Sequence, residues 1–140
     1  MKIDKLIKEA LEAKNMAYVP YSGFRVGAAV LTEENKIYTG CNIESASYSP
    51  TNCAERTAIF KAVSEGYTKF KAIAITGDRE YTFPCGVCRQ VMREFSKDLK
   101  IYIVKNENEY KEYTLKELLP HSFGPEDLER KTAEEKCDEV

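Results

Sequence analysis

Cys53-Ala54-Glu55-Arg56-Thr57-Ala58-Ile59-Phe60-Lys61-Ala62-Val63-Ser64-Glu65, closed by Gly66 and followed by Lys71-Ala72-Ile73-Ala74-Ile75-Thr76, is the stretch on which the fold turns. Its apolar residues Ala54, Ala58, Ile59, Ala62 and Val63 recur at helical spacing, so residues 53–65 are predicted as a helix that stops before the glycine. The Ala-Ile-Ala-Ile centre of residues 71–76 reads as a short buried strand. Helix followed by strand implies a crossover onto a shared sheet. A second unit repeats the pattern, with residues 85–96 as helix and 100–104 as strand, so the two strands should be parallel neighbours. Asn106-Glu107-Asn108 is too short for another crossover, and residues 109–114 should return antiparallel at an edge.

Working outward, residues 24–31 and 36–41 flank the polar connection Thr32-Glu33-Glu34-Asn35 and should form an antiparallel hairpin. Ile3, Leu6, Ile7, Ala10, Leu11 and Ala13 mark an amphipathic helix over residues 3–17, whereas residues 42–52 carry no period. The expected fold class is α/β, a three-layer α/β/α sandwich with a mixed five-stranded sheet. Residues 1–128 should form one domain, with 129–140 a charged C-terminal tail.

The bulk numbers narrow the partners. With 21 Lys and Arg against 23 Asp and Glu the net charge is −2, and no basic stripe emerges to follow a phosphate backbone, so polymeric nucleic acid is not an expected partner. No apolar run reaches membrane-spanning length, and Met1-Lys2-Ile3-Asp4-Lys5 lacks the apolar block of a signal peptide. A cytoplasmic setting is expected, in which the five cysteines are ligands or free thiols rather than a disulfide framework.

Three of those cysteines stand where helices begin: Cys53 in Thr51-Asn52-Cys53-Ala54-Glu55, and Cys85 and Cys88 in Phe83-Pro84-Cys85-Gly86-Val87-Cys88. Exposed N–H groups at a helix start favour the thiolate, the form that binds metal. Three protein ligands leave tetrahedral Zn²⁺ one open position for water, the pattern of a catalytic rather than a structural site. Glu55 in the first helical turn is then the candidate proton carrier. Three thiolates on Zn²⁺ sum to a net charge of −1, which blunts the metal as a Lewis acid; Arg56 beside Cys53 is the candidate to offset it by hydrogen-bonding to sulfur. A redox Cys85/Cys88 pair and a structural zinc are the competing readings, but neither has a use for Glu55. His121, the single histidine, lies in a late loop and would close the open position; neither it nor Cys41 and Cys137 is assigned to the metal.

Cys-Ala-Glu paired with Pro-Cys-x-x-Cys matches the zinc deaminase signature in its three-cysteine variant. Over roughly Pro20 to Leu128 the chain further resembles the small homotetrameric cytidine deaminases, through Pro20-Tyr21-Ser22-Gly23-Phe24-Arg25-Val26-Gly27-Ala28-Ala29, Gly40-Cys41-Asn42-Ile43-Glu44, Cys53-Ala54-Glu55-Arg56, Pro84-Cys85-Gly86-Val87-Cys88-Arg89-Gln90 and Leu118-Leu119-Pro120-His121-Ser122-Phe123-Gly124-Pro125. The resemblance implies a small pyrimidine nucleoside as substrate, with cytidine and deoxycytidine deaminated to uridine and deoxyuridine in pyrimidine salvage. By the same resemblance Phe24 stacks on the pyrimidine, Asn42 and Glu44 hold the ribose hydroxyl, the Ala54 amide donates to the base carbonyl, and Phe123 closes a neighbouring subunit's site. Blasticidin S deaminase shares the Cys-Ala-Glu and Pro-Cys-x-x-Cys sites, but Asn42-Ile43-Glu44 and Phe123-Gly124-Pro125 favour the nucleoside enzyme. A non-catalytic zinc module for partner binding would instead need a fourth protein ligand.

Overall fold

Strand β3 (Phe70–Gly77) is buried on both faces, and this determines the layering. In the computed structural model, which describes residues 2–128, Ile73 and Ile75 pack with Ala58, Ile59 and Met92 on one side, while Ala72 and Ala74 pack with Leu6, Ile7 and Ala10 on the other. A strand covered twice needs a helical layer on each face. Helix α1 (Lys2–Lys14) supplies one, and α2 (Ala54–Ser64) with α3 (Gly86–Phe95) supplies the other. The sheet is completed by β1 (Val26–Thr32), β2 (Ile37–Cys41), β4 (Lys100–Asn106) and β5 (Glu109–Thr114), in the order β2-β1-β3-β4-β5.

Within the five-stranded sheet only β3 and β4 pair in parallel, through Ile73 opposite Ile101 and Ile75 opposite Ile103, with α3 as their crossover. β1 lies antiparallel to both β2 and β3, so β2 and β3 run in one direction and end at the same edge of the sheet. The helices that follow them, α2 and α3, therefore start side by side at that edge. Gly40 lets α2 come close, since a Cβ there would lie 2.5 Å from the Ala54 carbonyl oxygen and the Ala58 nitrogen. The hairpin turn uses Asn35 at φ 68, a conformation asparagine tolerates well.

Two boundaries shift for a visible reason, and one element was not foreseen. The first helix stops at Lys14, because Asn15, Met16 and Ala17 donate to carbonyls three residues back and Tyr18 then donates to the Asn42 carbonyl. Phe24 lies ahead of β1 rather than inside it: the Asn42 side chain accepts from the Val26 N–H and donates to the Phe24 carbonyl, taking the place of a ladder partner. A short helix, α4 (Leu115–Leu118), follows β5, started by a capping box between Thr114 and Glu117. The expected tail at 129–140 lies outside the described residues. Among the described residues, no helix is long and apolar enough to cross a membrane.

Candidate active site

The two helix starts bring three sulfurs together. Cys53 is the N-cap of α2 and Cys85 the N-cap of α3, where the Cys85 sulfur accepts from the Cys88 N–H at 3.5 Å. Cys88, one turn in, is fully buried, Cys53 is half-buried and Cys85 is exposed. All three Sγ atoms lie within 4.8 Å of one another, with 3.8 Å between Cys53 and Cys85. Two thiolates each about 2.3 Å from a tetrahedral zinc stand about 3.8 Å apart, so the cluster has the dimensions of a three-thiolate zinc site. Neither His121 nor Cys41 joins it, and Cys137 is outside the described residues.

The thiols compete for protons. Hydrogen bonding from Cys88, then Arg56 and Cys85, holds Cys53 down at about 5, while the bond to Cys53 and its own burial push Cys88 up. A thiolate beside a protonated thiol is a cluster holding fewer charges than it can carry, and a cation takes the place of the shared proton. Arg56 Nη2 donates to Cys53 Sγ at 3.4 Å, and the sulfur raises the Arg56 pKa in return. Arg56 Nε is buried without a hydrogen-bond partner, so Nη2 carries the contact to the sulfur.

Glu55 is 4% exposed, an unusual position for a carboxylate. Burial, reinforced by the charge on Cys53, pushes its pKa up to about 7. A group poised near neutrality can both accept and return a proton at physiological pH, which is what a general acid–base must do. Its neighbour Ala54 is fully buried at the first position of α2, where the helix has no carbonyl for its N–H.

A second group of predicted residues gathers around the loop leading to β1. Glu44 accepts from the Tyr21 and Ser22 amides at 3.0 and 3.1 Å and from the Ser22 hydroxyl. That hydroxyl holds the Glu44 carboxyl below its ordinary range and keeps it an acceptor. The Ser22 Oγ in turn accepts from the Phe24 N–H at 3.0 Å. Asn42 clamps the backbone just after Phe24, donating to the Phe24 carbonyl at 2.8 Å and accepting from the Val26 N–H at 2.9 Å. The loop thus separates a pocket of about 410 Å³, lined by Tyr21, Ser22, Glu44, Ser45, Tyr48 and Thr51, from one of about 330 Å³ lined by Phe24, Arg79, Tyr81, Thr82 and Phe83. Phe123 is 57% exposed and lines neither. A larger cavity than either, about 670 Å³, lies where β3 and β4 begin, at Phe70, Lys71 and Lys100. That is the end of the parallel strands opposite the thiols, so volume and chemistry point to different places and the chemistry marks the site.

The sequence reading missed the contacts of α3's outer face. Arg89 Nη1 donates to the Leu118 carbonyl, Gln90 Nε2 to the Phe123 carbonyl, and Arg93 to Ser122 and Glu126. Their spacing, one helical turn from Arg89 to Arg93, was the available signal.

The sequence profile described as the cytidine and deoxycytidylate deaminase zinc-binding region matches residues 1–105. The chain belongs to the cytidine deaminase family. It is 52% identical over 130 residues to the cytidine deaminase of Sporosarcina psychrophila, covering 91% of this chain and 96% of that one. To the cytidine deaminase of Halalkalibacterium halodurans it is 51% identical over 125 residues, 88% of this chain and 95% of the other. The crystal structure of cytidine deaminase from Burkholderia pseudomallei superposes with a TM-score of 0.83 at 43% identity, covering 88% of this chain and all of that one, 100%. The cytidine deaminase fold therefore extends over the described chain, and the zinc-binding region holds all three clustered thiols.

Proposed function

We infer that this chain is a zinc-dependent hydrolase that deaminates cytidine and deoxycytidine to the corresponding uridines, releasing ammonia. The observation that carries the reading is a buried Glu55 on the same helix start as one of three clustered thiols. Cys53, Cys85 and Cys88 would hold the metal. Zinc bound there supplies the Lewis acidity that activates water near neutral pH.

The chain's own residues handle protons and orientation. Glu55 takes one proton from the attacking water and passes it to N3 of the pyrimidine, then takes the remaining proton from the hydroxyl added at C4 and delivers it to the 4-amino group, so that the C4–N bond breaks, the C4 carbonyl forms and ammonia leaves. Ala54 donates its free N–H to the base carbonyl. Arg56 draws charge from the Cys53 sulfur and so offsets the excess of three thiolates. Phe24 stacks on the base. Asn42 still has one amide hydrogen and one oxygen lone pair beyond its backbone bonds, and Glu44 still has acceptor capacity beyond its three bonds, enough for one sugar hydroxyl between them. Pinning the Phe24 loop and reading the ribose are then one device.

The assembly is read as a homotetramer in which Phe123 covers a neighbour's site. Tyr48 at 77% and Phe123 at 57% exposure are large aromatic surfaces whose burial between subunits would be favourable. A reducing, cytoplasmic setting keeps the ligand thiols available.

Ultraviolet absorbance tests the reading directly: purified, zinc-loaded protein is mixed with cytidine, deoxycytidine, blasticidin S or a short single-stranded oligonucleotide. Conversion of the two nucleosides alone is expected. Conversion of blasticidin S or the oligonucleotide in preference to both would overturn the substrate assignment.

A further inference from the structure

We propose that Arg93 is a positioning residue for Phe123, a clasp through which the zinc-bearing helix α3 sets the stance of the segment that covers a neighbour's site. The proposal rests on the reading of Phe123 given above and goes beyond it by naming what holds that residue in place.

Arg93 is 7% exposed, yet among the described residues its side-chain hydrogen bonds go to the last described segment of the chain. Nε donates to the Ser122 hydroxyl at 2.8 Å, and Nη1 and Nη2 reach the two Glu126 carboxylate oxygens at 3.3 and 2.7 Å. A bidentate, charge-assisted contact is far more directional than a point-charge pair, and it brackets Phe123 from both sides in sequence. Gln90, on the same face of α3, fixes the Phe123 carbonyl itself at 2.8 Å. The chain around residue 123 is thus held at the Phe123 carbonyl and through the side chains of Ser122 and Glu126, while the Phe123 aromatic ring remains more than half exposed. Tight anchoring beneath an exposed ring suits a residue whose work is done on another surface.

Gly124 completes the clasp. Its backbone is not in the left-handed region, so conformational freedom does not explain the residue. Space does: a Cβ there would sit 2.4 Å from Arg93 Cζ and Nη1 and 2.6 Å from Nη2. The guanidinium lies flat against the glycine backbone, and any side chain at 124 must displace it. Asp127 also accepts from the Gly124 N–H at 2.8 Å, which turns the chain so that Glu126 faces Arg93.

The clasp is tested by steady-state kinetics on cytidine with the full chain, beside zinc content and melting temperature. Arg93→Ala is expected to keep its zinc and to raise KM about tenfold with a smaller change in kcat, since misplacing a positioning group costs binding geometry before chemistry. Gly124→Ala is expected to do the same in the parent and to add almost nothing in the Arg93→Ala background, where the methyl group has room. Equal effects of Gly124→Ala in both backgrounds would overturn the clasp. So would an unchanged KM in Arg93→Ala while Phe123→Ala raises it. An unchanged KM in Phe123→Ala overturns both the reading of Phe123 and the clasp built on it.

Discussion

At the scale of the residue, the site depends on charge placed where it is costly. Glu55 is held nearly out of water and Cys53 is held anionic within reach of Arg56, so the three-thiol cluster and the proposed proton carrier are electrostatically joined. Arg56→Ala should fold but lose about 10- to 100-fold in zinc affinity. With the offsetting cation gone, water at the site becomes harder to ionise and the acidic limb of the pH–rate profile should move upward. Zinc titration and a pH–kcat series check both; parental values for each would reduce Arg56 to a surface arginine. The ribose contact gives a second expectation. If Asn42 and Glu44 share one sugar hydroxyl, 2′,3′-dideoxycytidine should lose about 10²-fold or more in kcat/KM relative to 2′-deoxycytidine, because the protein groups are left unpaired. Equal specificity constants would contradict that role.

At the scale of the element, the site edge of the sheet is tied by an ion cluster. Asp78, just beyond β3, accepts from the Arg25 backbone N–H at 2.7 Å and from its guanidinium at 3.1 and 3.2 Å, and Lys14 at the end of α1 lies 3.4 Å away. Hydrogen bonding from the Arg25 side chain, above all, lowers the Asp78 pKa to about 2. A carboxylate depressed on folding stabilises above its unfolded pKa, near 3.8, and that contribution is lost as pH falls toward 2. Solvent screening of this partly exposed group limits the gain to about 1 kcal/mol. Asp78→Asn should therefore lower stability at pH 7 by about that amount and be nearly neutral below about pH 2, as urea denaturation at the two pH values would show. A deficit that persists undiminished at the acid end would mean the pair contributes through packing instead.

Elements also show why legibility in the sequence was uneven. The helices beginning at Cys53 and Cys85 were readable because ligand spacing and apolar period lie within a dozen residues of one another. Asn42 was read as a polar loop residue for substrate, and its backbone bonds around Phe24 depend on a contact 16 to 18 residues away that no local pattern encodes. The Arg93 contacts, 29 to 33 residues away, are hidden for the same reason. Helix α4 was missed: its capping pattern Thr114-Leu115-Lys116-Glu117 stands in the sequence, but the helix is too short to leave a period.

At the scale of the whole molecule, one 140-residue chain has few means of walling a nucleoside from water. Phe123 and Tyr48 are exposed, and in the proposed tetramer closure is a property of the assembly. Activity per subunit should fall as the oligomer dissociates, and light scattering alongside a dilution series of specific activity checks it. A 16.0 kDa monomer with undiminished turnover would rule out shared sites. The central claim, that three thiolates hold zinc while Glu55 carries the proton, is tested most directly by measuring zinc content and cytidine turnover on the same preparations of the parent and Glu55→Gln. The expected result is about one zinc per chain in both, with turnover in the variant reduced by about 10²- to 10⁴-fold or more. Near-parental turnover in zinc-loaded Glu55→Gln would contradict the account.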